Sequence, residues 1–177
     1  KFLDIDGQLS VQVHPDDELA QKIGLYNGKT EMWYVMNAEK GAKLVSGFNR
    51  DVTPKEFEEA VANKSVEGML NYVDVHNDDA FFIPARKIHA LGAGCMVAEI
   101  QQTSDTSYRV YDWDRIDRFG MKRELHIDEA LATINFKKED SGKVSYDKKT
   151  KNATVSLVKC PYFTTNLIKL DTKSALV

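Results

Sequence analysis

The sequence predicts a mainly β protein, built as an antiparallel barrel or sandwich with one helical insertion. Short runs of apolar and β-branched residues recur along the chain between turn-forming residues, and only a few segments have helical spacing. Hydrophobic residues make up 42% of the 177 positions and charged residues 29%, which is typical of a globular protein with a buried core. The length suits one domain, or one domain and part of another.

The first clear strand covers residues 9–13, where apolar and polar side chains alternate. Leu9, Val11 and Val13 form its apolar face, and Pro15 ends the pairing. The other face is polar and carries Ser10, Gln12 and His14. This polar face is either solvated, or it lines a polar cavity.

A helix start gives the clearest local signal in the sequence. Thr53 fits an N-cap, Pro54 fits the first helical position, and Glu56 fits the residue that completes a capping box. The remaining helices are predicted from apolar spacing and from a glycine that can end a helix. They cover residues 17–24, 66–72 and 125–134.

Further strands are predicted where strand-forming residues dominate a run that is bounded by proline, glycine or polar turns. The turn Asn27-Gly28 precedes the first of these runs. Residues 136–152 are polar, rich in lysine and without periodicity, which predicts a linker or a mobile hairpin. The predicted strands cover residues 31–36, 43–48, 79–83, 95–102, 108–113, 153–158 and 162–170.

The charge balance and the cysteine pattern limit the classes of function. A net charge of −3 disfavours a nucleic-acid partner, which needs a basic surface. No apolar run approaches the roughly 20 residues of a membrane span, and the start of the sequence does not resemble a signal peptide. Cys95 and Cys160 lie in no CxxC pattern, which favours the reduced thiols of a cytoplasmic protein.

Histidines near predicted strand ends indicate a possible metal site. His14 shares a strand face with Gln12, Glu31 begins the next strand, and His89 follows the proline that ends another strand. Two imidazoles, a carboxylate and an amide oxygen suit Zn²⁺ and are acceptable for Mn²⁺, Fe²⁺ or Co²⁺. The pattern Gln-x-His alone has little specificity, so hydrogen-bonded histidines and a solvent-facing glutamate remain open alternatives. The other two histidines have no partner at ligand spacing.

An arginine in the second half of the predicted barrel is a further candidate. Glu99 and Gln101 share one strand face, and Arg109 alternates with its neighbours so that it can project inward. An inward arginine is costly unless it is paired or meets an anion. Arg109 therefore either meets an anion in the interior or forms a salt bridge with Asp112 or Asp114.

Four motifs occur in a fixed order from the start of the chain to about Arg115: LSVQVHPDD, GKTEMWYV, FIPAxxIHALGAG (x stands for any residue) and AEIQQTSDTSYRVYDWDR. In order and spacing they resemble the short bacterial form of the type I mannose-6-phosphate isomerase family, and YFTTNLIKLD extends the similarity towards the end. The resemblance implies a cupin (jelly-roll) fold and one Zn²⁺ per chain. It also implies an aldose–ketose isomerase that interconverts mannose 6-phosphate and fructose 6-phosphate through a cis-enediol intermediate.

The resemblance also implies roles for individual residues. The implied metal ligands are Gln12, His14, Glu31 and His89. The implied catalytic residues are Arg109, Lys29 and Glu99. Ser10 matches a serine of the same polar strand face, and cations near the site are available for the phosphate, namely Arg86 and Lys87. The general base is left open among Glu99, Lys29, Asp16 and Asp17.

The same resemblance predicts the domain organisation. A catalytic cupin barrel is expected over 1–118 with a helical insertion at about 53–72, followed by a helix and polar linker over 119–152. Residues 153–177 are expected to be strands of a second, incomplete cupin-like domain. Relatives usually carry further strands before Lys1 and more of the second domain after Val177, so we expect a fragment of a longer protein.

Besides its length, one further departure and two alternative functions accompany this hypothesis. Many relatives have glycine where this chain has Arg86, so a bulky cation adjoins the loop that carries His89. A truncated, non-catalytic sugar-binding cupin is one alternative. An iron cupin dioxygenase is the other, and it is disfavoured because Gln12 replaces the usual first histidine and Glu31 lies 17 positions after His14.

Overall fold

The computed structural model describes residues 1–171, and within that range it contains eleven strands, three α-helices and one short 3-10 helix. The helices are α1 (Asp17–Lys22), α2 (Pro54–Ala62), the 3-10 helix Val66–Met69 and α3 (Ile127–Thr133). The strands are β1 (Phe2–Ile5), β2 (Val11–Val13), β3 (Glu31–Ala38), β4 (Lys43–Phe48), β5 (Leu70–Asp74), β6 (Ala80–Ile83), β7 (His89–Leu91), β8 (Cys95–Gln101), β9 (Tyr108–Tyr111), β10 (Thr154–Lys159) and β11 (Thr164–Ile168).

Two antiparallel sheets form the body of the fold. One has four strands in the order β1-β8-β3-β6, and the other has five in the order β5-β4-β7-β2-β9. Within residues 1–171, the last two strands, β10 and β11, pair with each other as a separate hairpin. The mainly β, antiparallel class predicted from the sequence is confirmed.

An apolar layer fills the space between the two sheets. Trp33 and Val35 of β3 belong to one buried cluster with Leu44 of β4 and Leu91 of β7. Leu44 and Leu91 are also direct cross-strand partners. Because side chains alternate along a strand, the neighbours Val45 and Ala90 point to the opposite face.

Helices cover that opposite face of the five-stranded sheet. Phe57 of α2 and Ala130 of α3 are buried in the same cluster as Val45. The predicted start of α2 is confirmed, because the Thr53 side chain accepts the Glu56 N–H and the Glu56 carboxylate accepts the Thr53 N–H. This reciprocal pair satisfies two donors that a helix end otherwise leaves without partners.

The β10–β11 hairpin covers the outer face of the four-stranded sheet. Leu157 and Val158 of β10 are buried against Met32 of β3 and Ala80 of β6. The segment just before the hairpin extends the edge of the same sheet, since Val144 donates its N–H to the carbonyl of Ala80. The division into a barrel, a linker and a second domain stays a prediction, and residues 172–177 of the predicted last segment lie outside the described residues.

Two predicted boundaries were wrong. The helix expected over 66–72 is only the 3-10 helix, because residues 70–74 form β5 and pair with β4. The loop expected to deliver His89 is in fact β7, which pairs on one side with β2 and on the other with β4. A three-residue strand has too little local pattern to be detected, and its neighbours in the sheet define it.

The structure can also be compared with the expectations about a membrane span and about the two cysteines. Within residues 1–171, no helix combines the length and the apolar character that crossing a membrane requires. Cys95 is buried, Cys160 is partly exposed, and both are free thiols.

Two adjacent aspartates, which we call the acidic clamp (Asp78 and Asp79), tie the later part of the chain to the four-stranded sheet. Asp79 is buried and accepts hydrogen bonds from Lys143 Nζ at 2.7 Å and Lys148 Nζ at 2.6 Å. Asp78 accepts from Lys169 Nζ at 2.6 Å. Burial alone would raise the pKa of Asp79. The hydrogen bonds from Lys143, from Lys148 and from the backbone N–H of His76 outweigh burial and hold that pKa below its usual value.

We expect Asp79→Asn to lower the free energy of unfolding by roughly 1–2 kcal/mol, because two charge-assisted hydrogen bonds are lost at partly solvated lysines. Urea unfolding followed by tryptophan fluorescence measures the change. The stabilisation should be complete above the ordinary carboxyl pKa near 3.8 and fade as the pH falls below it.

Glu59→Gln is the matched control for that experiment. The Glu59 carboxylate lies 3.9 Å from Lys55 Nζ on the exposed side of α2, where an ion pair contributes at most about 0.5 kcal/mol. Equal stability losses in the two variants would mean that the acidic clamp contributes no more than a surface pair.

Candidate metal centre and active site

Three buried side chains meet between the two sheets. His14 follows the last residue of β2, Glu31 begins β3, and His89 begins β7. Their side chains are at most 1% exposed, and one ligand atom of each lies within 4.8 Å of the others. Since β2 and β7 are neighbours in one sheet and β3 belongs to the other, folding brings the three together across the interior.

Within residues 1–171, the polar atoms that face one another in this cluster have no hydrogen-bond partners. Glu31 Oε2 lies 3.4 Å from His14 Nε2, and Glu31 Oε1 lies 3.3 Å from His89 Nε2. Neither contact makes a hydrogen bond, and all four atoms are buried. Unsatisfied buried polar atoms are rare because each costs about 1–3 kcal/mol. The arrangement therefore fits a divalent metal ion held by two imidazoles and a carboxylate.

The protonation states also fit a metal. Burial lowers the pKa of His89 to about 3, so its ring is neutral at neutral pH. Burial alone would raise the pKa of Glu31, but His14, His89 and Lys29 outweigh it and lower that pKa to about 2. His89 Nδ1 lies 2.7 Å from the Lys87 carbonyl, which can only accept, so the proton sits on Nδ1. The Nε2 lone pair is then free for the metal.

Gln12 lies beside the cluster in the sheet. Its direct cross-strand partners are His89 on β7 and Arg109 on β9, and Ser46 on β4 lies opposite His89 in turn. Directly opposed residues share a face of a sheet, so these four side chains form one row on the inner face. The row supports Gln12 as a fourth ligand, which stays a prediction.

Lys29 reaches the metal cluster from the loop before β3. Its buried ammonium lies 3.6 Å from Glu31 Oε2 and 3.5 Å from Ser107 Oγ. Gly28 is required just before it, because a Cβ there would approach the backbone atoms of residues 15–17 to about 2.5 Å. The tight approach fixes Lys29 against the chain that follows His14.

Glu99 lies on the same inner face as Glu31. It is the cross-strand partner of Trp33, whose Nε1–H donates to Glu99 Oε2 at 3.3 Å. The Trp33 ring meets the His89 ring edge to face at 5.5 Å between centroids. Trp33 was missed in the sequence, although its position two residues after Glu31 places both on one strand face.

Arg109 is free of carboxylate partners in residues 1–171. Its Nη1 donates to the Glu124 carbonyl at 2.8 Å, and its buried Nε has no partner. The alternative of a salt bridge from Arg109 to Asp112 or Asp114 is not supported, because both aspartates form salt bridges with other arginines or lysines. Asp112 pairs with Arg115 and Arg123, and Asp114 pairs with Lys64 and Lys122.

Arg86 and Lys87 lie on the loop between β6 and β7, and their donors meet backbone carbonyls. Arg86 has a left-handed φ of 71°, a conformation that favours glycine. Its Nε donates to the Thr133 carbonyl at 3.0 Å, and its Nη1 lies 3.6 Å from Asp16 Oδ2. The buried Lys87 Nζ donates to the Asp140 carbonyl at 2.5 Å, and burial lowers its pKa.

The remaining predicted residues lie at the two ends of β2. Ser10 is nearly buried just before that strand. Asp16 caps α1 by accepting the Leu19 N–H, and Asp17 accepts from the Gly28 N–H at 2.8 Å, a bond that lowers the pKa of Asp17. Both aspartates thus accept from backbone N–H groups near α1, whereas Glu99 lies on the inner face and Lys29 lies beside Glu31.

The fold and the site together define a class. Two facing antiparallel sheets with two histidines and a glutamate between them are the arrangement of a metal-site cupin. Searched against family models, the chain matches none. Over nearly its whole length, however, the chain is similar in sequence to proteins named mannose-6-phosphate isomerase.

Two curated relatives carry that relationship. The chain is 37% identical over 180 residues to the probable mannose-6-phosphate isomerase GmuF of Bacillus subtilis, covering 99% of this chain and 56% of the relative. It is 38% identical over 164 residues to the mannose-6-phosphate isomerase of Streptococcus mutans, covering 93% and 52%. The chain thus spans about half the length of the curated relatives it matches.

Solved structures confirm the cupin fold. The mannose 6-phosphate isomerase of Bacillus subtilis superposes with a TM-score of 0.81 at 31% identity, covering 93% of this chain and 53% of that one. A zinc-bound mannose 6-phosphate isomerase has the same fold, with a TM-score of 0.67 at 13% identity.

Proposed function

We propose that this chain carries the active site of an isomerase that interconverts mannose 6-phosphate and fructose 6-phosphate. The observation that carries the proposal is the buried cluster of His14, Glu31 and His89, whose mutually facing atoms have no hydrogen-bond partners within residues 1–171. It occurs in a chain related to mannose-6-phosphate isomerases, and its ligand set suits Zn²⁺. We assign the fourth ligand position to Gln12, because Gln12 lies beside His89 on the inner face.

The chemical difficulty of the reaction is the proton on the carbon next to the carbonyl. Removing it leaves negative charge on an enediolate, and Zn²⁺ would supply Lewis-acid stabilisation of that charge. Arg109 contributes a fixed positive charge at the same side of the sheet, since its strand neighbour is Gln12. Its freedom from carboxylates within residues 1–171 leaves that charge available.

The proton moves between C2 and C1 of the open-chain sugar. Glu99 and Lys29 are the candidates to accept it from one carbon and return it to the other, because both face the interior beside Glu31. The phosphate would be bound by the cations of the β6–β7 loop, Arg86 and Lys87. Ser10, which lies just before β2, is a further polar residue that we assign to substrate binding. Lys87 suits this role because its present acceptor is a neutral carbonyl.

A coupled assay on mannose 6-phosphate, combined with metal analysis, tests the proposal. We expect one metal ion per chain, loss of turnover after dialysis against a chelator, and recovery when Zn²⁺ is added. Turnover that survives complete metal removal would refute the metal-dependent mechanism. Sugar-phosphate binding without turnover would identify a binding cupin instead, and O₂ consumption with bound iron would identify a dioxygenase.

A further inference from the structure

His126 contacts the backbone of Arg109 at both its N–H and its carbonyl. The Arg109 N–H donates to His126 Nδ1 at 3.0 Å, and the His126 N–H donates to the Arg109 carbonyl at 2.8 Å. The carbonyl of Glu124, two residues earlier, accepts from Arg109 Nη1 at 2.8 Å. The segment 124–126 therefore contacts Arg109 at its amide, its carbonyl and its guanidinium.

The sequence position of His126 makes this use of its ring unexpected. His126 is the N-cap residue of α3, and its carbonyl accepts the first helical N–H, from Ala130. An N-cap side chain normally accepts a helix N–H, yet the His126 ring makes no such bond. The ring acceptor is directed to β9 instead.

The contact with His126 affects the candidate active site through Arg109. Arg109 ends the inner-face row of side chains that runs through His89 and Gln12. β9 is the edge strand of its sheet, so it has a neighbouring strand on the β2 side alone. On the open side, within the described residues, the hydrogen bonds of the Arg109 backbone go to His126.

We infer that His126 is a positioning residue for Arg109. Its Nδ1 acceptor fixes the backbone of the edge strand, and that backbone sets the direction of the Arg109 side chain, whose Nε is buried. This inference rests on the proposed function for the role of Arg109, whereas the hydrogen bond itself can be tested without any activity. An N–H donor at Arg109 requires that Nδ1 carries no proton, so the ring must be the Nε2–H tautomer.

NMR of the ¹⁵N-labelled protein tests the hydrogen bond directly. We expect a through-hydrogen-bond coupling between the Arg109 amide nitrogen and His126 Nδ1, with the ring proton on Nε2. Absence of the coupling, or a proton on Nδ1, would overturn the inference whatever the activity of the protein.

Two matched variants test the consequence for turnover. Serine and asparagine are both favoured N-cap residues, so His126→Ser and His126→Asn should support α3 about equally. They differ in reach, because the Asn Oδ1 occupies the position of Nδ1 and the Ser Oγ is one bond shorter. We expect His126→Ser to lower kcat roughly 10²-fold with KM little changed, and His126→Asn to recover most of the loss.

The outcomes separate positioning from a structural role and from failure of the proposed function. Normal kcat in folded His126→Ser, or an equally low kcat in both variants, would overturn positioning. If the wild-type protein binds metal but does not isomerise mannose 6-phosphate, the proposed function fails while the NMR coupling still decides the contact. His76→Ala serves as a control, because that ring is exposed at the far end of the four-stranded sheet.

Discussion

Replacing His89 with alanine is expected to abolish metal binding by this chain. The substitution removes one of the two imidazoles, and it leaves Glu31 Oε1 without the ring nitrogen that lies 3.3 Å away. The ligands left would be His14, Glu31 and the proposed amide oxygen of Gln12, and a neutral amide is not among the Cys, His and carboxylate ligands by which proteins usually hold zinc. Metal analysis after dialysis should give one ion per chain in the wild type and none in the variant.

A stability measurement provides a second readout of the same prediction. A ligand that binds only the folded state stabilises it by about 2.7 kcal/mol at a concentration one hundred times its dissociation constant. Zn²⁺ should therefore raise the melting temperature of the wild type and leave His89→Ala unchanged. His76→Ala, whose ring is exposed, should keep the full response. Retention of metal by His89→Ala would refute the ligand assignment.

Replacing Arg109 with alanine is expected to lower kcat by about 10²–10³-fold, the usual loss when a well-placed charged donor is removed. The reason is that the enediolate carries negative charge that the starting sugar lacks, so the arginine acts mainly on the transition state. KM should change less than kcat. Arg109→Lys should recover part of the loss, because an ammonium lacks the planar fork of guanidinium.

The structure predicts that this loss is not caused by unfolding. Arg109 forms no salt bridge within residues 1–171, and its guanidinium donates one hydrogen bond, to the exposed segment at Glu124. Metal content and urea stability should therefore be close to wild type. Arg118→Ala is the control, since that guanidinium rests over the exposed Phe119 ring. An unchanged kcat in Arg109→Ala would remove Arg109 from the mechanism.

The sequence predicted the features that local pattern governs. Alternation over residues 9–13 gives β2 and its polar inner face, and a capping box at Thr53 starts α2. Both features depend on residues that are close together in the sequence, so the local sequence is enough to predict them. The motifs also supplied His14, Glu31 and His89, and folding brings these three together.

The tertiary structure decided the features that depend on residues far apart in the chain. The strand at His89 exists because β2 and β4 lie on either side of it, and three residues carry no pattern of their own. The side-chain direction of Arg86 follows from a left-handed backbone and from the Thr133 carbonyl. No spacing rule relates these partners.

The same distinction between local pattern and tertiary contact applies to the two histidines that are not predicted to bind metal. From sequence, His126 and His76 were equivalent, since neither had a partner at ligand spacing. In the fold, α3 brings His126 against Arg109, whereas His76 remains exposed. The sequence alone therefore determined which residues could bind a metal, because ligand chemistry belongs to the side chain. Which residues orient the site was decided only by packing, because orientation requires contacts between elements that meet only in the folded chain.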